Sequence, residues 1–166
     1  MVNYKPFKEW LKRNYSGPYS AVDIIIRYKY QDEEIINEIT KKGLVLIERL
    51  NDPLGLAFPG GLVEEESFER AAIREAKEET NLQVVLDSPE HPLCVYSDSH
   101  RDPRAHIATH VYVGNGHGIL KAGDDAKKAI VYSIDEAINL IGKQKFAFPD
   151  HERMLIEYLK NEGYLQ

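Results

Sequence analysis

The most informative part of the chain is residues 60–82, which read GGLVEEESFERAAIREAKEETNL. Two glycines open this segment, and acidic residues then recur at helical spacing as Glu75, Glu78 and Glu79. On a helix that advances about 100° per residue, positions i, i+3 and i+4 lie in one sector of the surface. The spacing therefore predicts a glycine loop that leads into a helix on which three carboxylates converge.

The position of Glu79 on this helix indicates more than a solvated surface. With Phe68 as the origin of the helical wheel, Ala72 and Ala76 fall at about 40° and 80°. Glu79 falls at about 20°, inside this apolar arc, so we expect it to be partly buried. Buried like charges are unfavourable unless a cation neutralises them, and oxygen ligands suit a hard ion. The pattern predicts a Mg²⁺ or Mn²⁺ site; the alternative is an ordinary exposed helix rich in Glu, Arg and Lys.

The segment resembles the Nudix box, whose pattern is Gly, five residues, Glu, seven residues, then Arg-Glu-apolar-any-Glu-Glu-any-Gly-apolar. Counted from Gly60, the chain supplies the expected residues at Glu66, Arg74, Glu75, Glu78, Glu79 and Leu82. The loop before Ser67 is one residue shorter than the usual Pro-Gly-Gly run would give, so either Glu65 or Glu66 takes the loop-glutamate position. Asn81 replaces the closing glycine, which is a mild change because Asn tolerates the left-handed conformation at a helix C-terminus.

The resemblance implies roles for individual residues of the box. Metal binding would fall to four of them: the carbonyl of Gly60 and the side chains of Glu75, Glu78 and Glu79. Arg74 would orient Glu75 through an ion pair, and Glu66 would support the arginine or the metal ligands. The general base varies within the family, so its identity stays open.

Segments outside the box narrow the resemblance to the small ADP-ribose pyrophosphatases of the family; they are residues 96–106, 121–126 and 146–151. Arg101 and Arg104 suit a polyanion, because a guanidinium fork holds phosphate oxygens bidentately. We therefore expect both to bind substrate. The alternative is a surface loop in which these arginines pair with Asp98 and Asp102.

Two adjacent acidic residues follow a glycine in the middle segment. We expect Asp124 to contact the substrate, and Asp125 to act as an outer metal ligand or as the base. The alternative for both is a helix or turn cap. In the last segment, we expect Asp150 to cap the terminal helix and His151 to pack at its start.

Composition limits the class of protein. With 166 residues, 43% of them hydrophobic, the chain can bury a core as one domain over residues 1–166, with residues 1–16 as a helical extension. A net charge of −6 argues against binding nucleic acid or acidic membranes. The single cysteine, Cys94, excludes an internal disulfide and fits a reducing compartment. No signal-like or membrane-spanning run is present in the sequence, so we expect a cytoplasmic protein.

Patterning along the chain predicts an α/β protein. Alternation over residues 22–28 predicts a half-buried strand with Asp23 and Ile25 on the polar face. We expect further strands at 44–50, 83–86, 93–96, 106–113 and 130–132, a hairpin excursion at 31–40, and helices at 6–15, 134–141 (capped by Ser133) and 150–161. This order resembles the Nudix α/β/α sandwich with a mixed central sheet.

The resemblance implies a Mg²⁺-dependent hydrolase of a nucleoside diphosphate linked to another group, acting as a homodimer on a small nucleotide. ADP-ribose is the expected substrate, with AMP and ribose 5-phosphate as products. Another NDP-sugar, a dinucleotide or a nucleoside triphosphate is the first alternative, because the box determines the bond type and the pocket walls determine the rest. The second alternative is a non-catalytic Nudix module that senses such a nucleotide.

Overall fold

A computed structural model describes residues 9–10, 13–15, 17–29, 42–123 and 126–166. In these residues the strands are β1 (Tyr19–Lys29), β2 (Lys42–Arg49), β3 (Leu56–Ala57), β4 (Gly60–Leu62), β5 (Gln83–Leu86), β6 (Cys94–Tyr96), β7 (Ile107–His117) and β8 (Ala126–Tyr132). The named helices are α1 (Phe68–Thr80), α2 (Ile134–Ile138) and α3 (Pro149–Asn161).

The strands form one mixed sheet. Its main order is β3-β2-β1-β7-β5, and β4 pairs with β1, β6 with β7 and β8 with β2. Only the β1–β7 pair is parallel among these strands. Antiparallel β4 lies beside the first half of β1, with Gly60 opposite Asp23. The topology therefore brings the glycine segment, the middle of β1 and the start of β7 to one end of the sheet.

Helices cover both faces of the sheet. Val22, Ile24 and Ile26 of β1 pack with alanines of α1, which are small enough to let the helix approach the strands closely. Ile25 points to the other face and packs with Met154 of α3. This arrangement confirms the predicted α/β/α sandwich with a mixed sheet. The prediction of a half-buried first strand was wrong, because residues 21–26 are buried by helices on both sides.

Helix termini follow the local sequence with one exception. Asn81 ends α1 in the left-handed conformation, with φ of 61°, and Ser133 forms a capping box at α2. Asp150 does not cap α3, contrary to expectation: the N-cap is Phe148, and Pro149 occupies the first turn. Proline suits that position because its φ is preset and it has no N–H to leave unpaired. Asp150 instead enters the helix and is buried.

Several element boundaries differ from the sequence predictions. β7 and β8 are longer than expected, α2 ends at Ile138 rather than residue 141, and β3 and β4 were not predicted as strands. Of the predicted N-terminal helix, residues 9–10 and 13–14 are helical, and the rest lies outside the described residues, as does the excursion at 31–40. None of the helices in the described ranges is long and apolar enough to cross a membrane.

Candidate active site

The glycine strand β4 is clamped between β1 and α1. Ile24 N–H donates to the Pro59 carbonyl at 2.8 Å, and Gly60 N–H donates to Glu79 Oε2 at 2.9 Å. A Cβ on Gly60 would lie 2.2 Å from the Val22 carbonyl oxygen, so a larger residue cannot fit without moving backbone. Glycine at this position therefore lets β4 lie directly against β1.

Glu79 is the most buried carboxylate of the helix, with 7% of the residue exposed. Burial raises its pKa to about 8; the Gly60 N–H lowers the pKa, and the charges of Glu75 and Asp23 raise it again. The ionised form is thus poorly compensated by the protein itself. A dication beside Glu79 would supply that missing compensation, as predicted from the helical wheel.

Arg74 organises the other box glutamates. Its Nη2 lies 2.7 Å from Glu66 Oε1, and its Nη1 lies 2.7 Å from Glu75 Oε1 and 3.0 Å from Glu78 Oε2. The expected Arg74–Glu75 ion pair is therefore present. Glu66 contacts the arginine, which favours Glu66 over Glu65 as the loop glutamate. The catalytic roles of these residues stay predictions.

The three carboxylates do not converge on one point in this arrangement, contrary to expectation. Glu78 is 57% exposed at its side chain and faces Arg74, whereas Glu79 faces Gly60. In the part of the chain that the structure describes, no three Asp, Glu, His or Cys side chains form a group placed to hold a metal. Glu75 and Glu78 instead share Arg74 Nη1, at 2.7 and 3.0 Å. To bind a metal ion, Glu75 and Glu78 would have to replace part of their contact with Arg74 by contact with the ion.

The donor set nevertheless fits a hard dication. Every candidate ligand is an oxygen, which suits Mg²⁺ or Mn²⁺ rather than zinc. A Cβ on Gly61 would lie 2.4 Å from Glu75 Oε1, so the glycine strand touches this carboxylate as well as Glu79. The Gly60–Gly61 backbone is thus adjacent to two side-chain carboxylates where the resemblance implies a metal.

A small cavity of about 100 Å³ adjoins the same glycines. Its walls include Asp23, Arg49, Gly60, Gly61, Arg101, Arg104 and Phe148. Three guanidinium groups lie near the ring of Phe148, at 5.2 Å for Arg49, 5.9 Å for Arg101 and 5.4 Å for Arg104. The glycine strand therefore has carboxylates on the helix side and an arginine-rich pocket beside it.

The two predicted substrate arginines differ in their environment. Arg101 is 6% exposed at its side chain, forms a short ion pair with buried Asp150 and lies 3.9 Å from Asp23. Arg104 is 51% exposed and binds Asp102 through Nη2 at 2.8 Å and Nε at 3.0 Å. The Asp102 contact matches the alternative prediction, yet Arg104 stays open to solvent. Arg104 can meet a ligand, whereas Arg101 mainly neutralises a buried acid.

Sequence reasoning missed several residues of this site. Asp23 was expected on a polar strand face, Arg49 was not singled out, and Asp150, the buried partner of Arg101, was expected only to cap a helix. Burial raises the pKa of Asp23 to about 6, while the Thr109 hydroxyl and Arg101 lower it. The only local signal was a single acid within an apolar strand run, which does not reveal its partners.

The predictions for Asp124 and Asp125 lie outside the described residues. The residue before them, Gly123, is fixed against the helix: its N–H donates to the Glu79 carbonyl at 2.9 Å. A Cβ there would lie 1.8 Å from the Glu78 carbonyl oxygen. The loop is thus anchored at the helix turn that carries the acidic pair.

With this geometry in place, comparison with known proteins identifies the family. The family model for the NUDIX domain matches residues 35–157. The chain belongs to the NUDIX family. It is a Nudix hydrolase, as the box predicted.

An ADP-ribose pyrophosphatase of Methanocaldococcus jannaschii is 40% identical to this Nudix chain over 152 residues, covering 89% of this chain and 77% of the relative. The NUDIX domain of Shewanella oneidensis NrtR, solved with ADP ribose, superimposes with a TM-score of 0.70 at 16% identity, over 98% of this chain and 99% of that one.

A bifunctional NMN adenylyltransferase/ADP ribose pyrophosphatase of Francisella tularensis, complexed with AMP and a Mn ion, gives a TM-score of 0.66 at 23% identity. The match covers 95% of this chain, which spans 45% of that protein. At these identities the two structural likenesses show the Nudix fold alone.

Proposed function

We propose that this Nudix hydrolase cleaves the phosphoanhydride of ADP-ribose to AMP and ribose 5-phosphate, with Mg²⁺ or Mn²⁺ as its ion. One observation carries the proposal: the Gly60–Gly61 backbone touches two helix carboxylates and also lines the arginine pocket. A diphosphate needs both features, because a cation must offset its charge and donors must hold its oxygens. The similarity to an ADP-ribose pyrophosphatase supports this choice of substrate.

The box residues have different roles in this proposal. The carbonyl of Gly60 and the side chains of Glu75, Glu78 and Glu79 would hold the dication. When bound, the ion supplies Lewis-acid polarisation of phosphate oxygens and a lowered pKa for a water ligand. Arg74 and Glu66 orient Glu75 before the ion arrives. Asp125 remains our proposal for the base or an outer ligand, with Asp124 on the substrate.

The arginine pocket would hold one phosphate group. Its volume of about 100 Å³ is below the roughly 300–1,000 Å³ of sites that enclose a whole drug-sized ligand. Arg104 offers an exposed guanidinium there, and the cation–π contact with Phe148 keeps the group near the glycines. Arg101, which is buried in the wall of the same pocket, would contribute positive charge without being exposed to solvent.

The direct test is turnover on a panel of ADP-ribose, NADH, ADP-glucose, diadenosine polyphosphates and dGTP with Mg²⁺. We expect hydrolysis, followed as release of AMP or, for dGTP, of phosphate or pyrophosphate, to be fastest with ADP-ribose, measured as kcat/KM. Faster release from another compound would move the proposal to the corresponding alternative substrate. Binding of ADP-ribose without turnover, with either ion and up to alkaline pH, would instead indicate the non-catalytic sensor.

Arg104→Lys tests the substrate pocket. Lysine keeps the charge but loses the planar fork, so phosphate oxygens can no longer be held bidentately. We expect KM for ADP-ribose to rise about tenfold, equivalent to about 1.4 kcal/mol, with kcat nearly unchanged. Arg70→Lys on the exposed face of α1 is the matched control and should alter neither constant. An unchanged KM for the Arg104 variant would remove this residue from the substrate site.

A further inference from the structure

His151 occupies an unusual position for an ionisable residue. It lies in the first turn of α3 with 2% of its surface exposed. Its ring is held between the rings of Phe58, with centroids 5.9 Å apart, and Phe148, at 5.1 Å. These contacts fix the orientation of the imidazole, so each ring nitrogen faces one defined neighbour.

Both ring nitrogens face polar groups beside the glycine strand. Nδ1 accepts a hydrogen bond from the backbone N–H of Phe58 at 3.0 Å, so this nitrogen carries no proton. Burial lowers the pKa of His151 to about 3, which keeps the ring neutral at physiological pH. The single ring proton is then on Nε2, which lies 3.5 Å from Asp23 Oδ1.

The two partners of His151 lie near Gly60 on different segments of the chain: Phe58 in the link between β3 and β4, and Asp23 in β1. Phe58 precedes Gly60 by two residues, and the intervening Pro59 carbonyl is bonded to Ile24 N–H at 2.8 Å. Asp23 is the direct neighbour of Gly60 across the β1–β4 pair. Its other oxygen accepts the Thr109 hydroxyl at 2.7 Å, which fixes the carboxylate from the far side. His151 therefore links the segment that leads into β4 to β1, the strand with which β4 pairs.

We propose that His151 is a positioning residue that holds the Gly60 carbonyl in place for the metal ion, by fixing Phe58 and Asp23 relative to each other. The inference rests on the proposed function, in which this carbonyl is a ligand. Simple packing would need only an aromatic ring at this position. A phenyl ring, however, would leave the buried Phe58 N–H without its acceptor.

His151→Phe keeps the ring stacking and removes both polar contacts. We expect Mn²⁺ affinity, measured by electron paramagnetic resonance without substrate, to fall about 10- to 100-fold, the range for losing a group that orients a metal ligand. We expect kcat to fall in parallel while KM for ADP-ribose stays within about threefold. Hydrogen exchange of the Phe58 amide should accelerate, which reports the lost contact independently of catalysis.

Two amide variants separate positioning from packing. Asn at 151 can place an oxygen near the Nδ1 position, whereas Gln reaches toward the Nε2 position and offers Phe58 no acceptor. We expect His151→Asn to restore slow Phe58 exchange and at least part of the Mn²⁺ affinity, and His151→Gln to restore neither. This pair decides the question if His151→Phe fails to fold. His91→Phe, at an exposed loop position, is the matched control and should behave as wild type.

Three results would overturn the inference. The first is a folded His151→Phe protein with wild-type Mn²⁺ affinity. The second is equal behaviour of the Asn and Gln variants. The third is a wild-type protein that binds no Mn²⁺, which would also refute the proposed function. The first two outcomes refute the inference and leave the proposed function intact. Conversely, a wild-type protein that does not hydrolyse ADP-ribose would refute the proposed function, while the Mn²⁺ and hydrogen-exchange measurements would still test the role of His151.

Discussion

Replacing Glu79 by Gln should lower kcat for ADP-ribose by about two orders of magnitude or more, the scale of losing a transition-state charge partner. The substitution is nearly isosteric, and the amide oxygen can still accept the Gly60 N–H that now bonds Glu79 at 2.9 Å. The glycine strand should therefore stay in place while one negative charge is lost. Steady-state kinetics with Mg²⁺ measures the effect.

The same substitution should stabilise the protein when no metal is added. The pKa of Glu79 is about 8 in the folded protein, above its ordinary value of 4.5. A carboxyl group whose pKa is higher in the folded than in the unfolded protein contributes its full stabilisation when the pH is below the unfolded pKa. That contribution is lost as the pH rises toward the folded pKa. Wild type thus loses stability between about pH 4.5 and pH 8, whereas Gln does not titrate. We expect a higher Tm for Glu79→Gln at pH 8 and little difference at pH 4.

Opposite effects on activity and stability distinguish a metal site from a structural acid. Glu90→Gln, at an exposed loop position, is the control and should change neither property. Excess Mg²⁺ should raise the Tm of wild type and have less effect on Glu79→Gln, because only the wild-type carboxylate gains a cation. A Gln variant that is both less stable at pH 8 and fully active would refute the assignment.

Asp150→Ala should cause the largest loss of stability among the substitutions that we consider. Arg101 and Asp150 form an ion pair with both side chains 6% exposed. Removing Asp150 leaves the buried Arg101 charge with the more distant Asp23, 3.9 Å away, as its remaining ion-pair partner. Breaking a buried pair in this way lowers the free energy of unfolding by about 3–5 kcal/mol. For a protein of this size the Tm should fall by roughly 6–20 °C. Calorimetry or circular dichroism measures this change.

Two controls define the origin of that loss. Lys127→Ala removes an exposed partner of Glu48, 3.0 Å away, and should change the free energy of unfolding by less than about 1 kcal/mol. The double variant Arg101→Met/Asp150→Leu removes both buried charges and should recover most of the stability. If Asp150→Ala is no more destabilising than Lys127→Ala, the buried pair does not have the structural importance that we assign to it.

The parts of the fold that were predictable depend on local spacing. The helix of the box follows from acidic and apolar residues at fixed intervals, and the burial of Glu79 follows from its place on the same wheel. Asn81 could be assigned as the helix end because few residues tolerate a positive φ. β5 matches its predicted range, since its alternation needs no distant partner to be recognised.

The parts that were not predictable depend on contacts between distant segments. Asp23, Arg101 and Asp150 come from three separate parts of the chain, and no local pattern records that they meet. Alternation in β1 cannot reveal that α3 covers its second face, so a buried strand was predicted as half-buried. The choice between Glu65 and Glu66 likewise required the Arg74 contact rather than a residue count.

The most direct measurement is anomalous diffraction from crystals soaked in Mn²⁺ and a non-hydrolysable ADP-ribose analogue. We expect a Mn²⁺ peak bounded by the carboxylates of Glu79 and Glu75 and the carbonyl of Gly60, with the diphosphate of the analogue beside it. The same soak of Glu79→Gln should show a weak peak or none. A wild-type map with these carboxylates turned to solvent, and the ion absent or bound elsewhere, would contradict the proposed site.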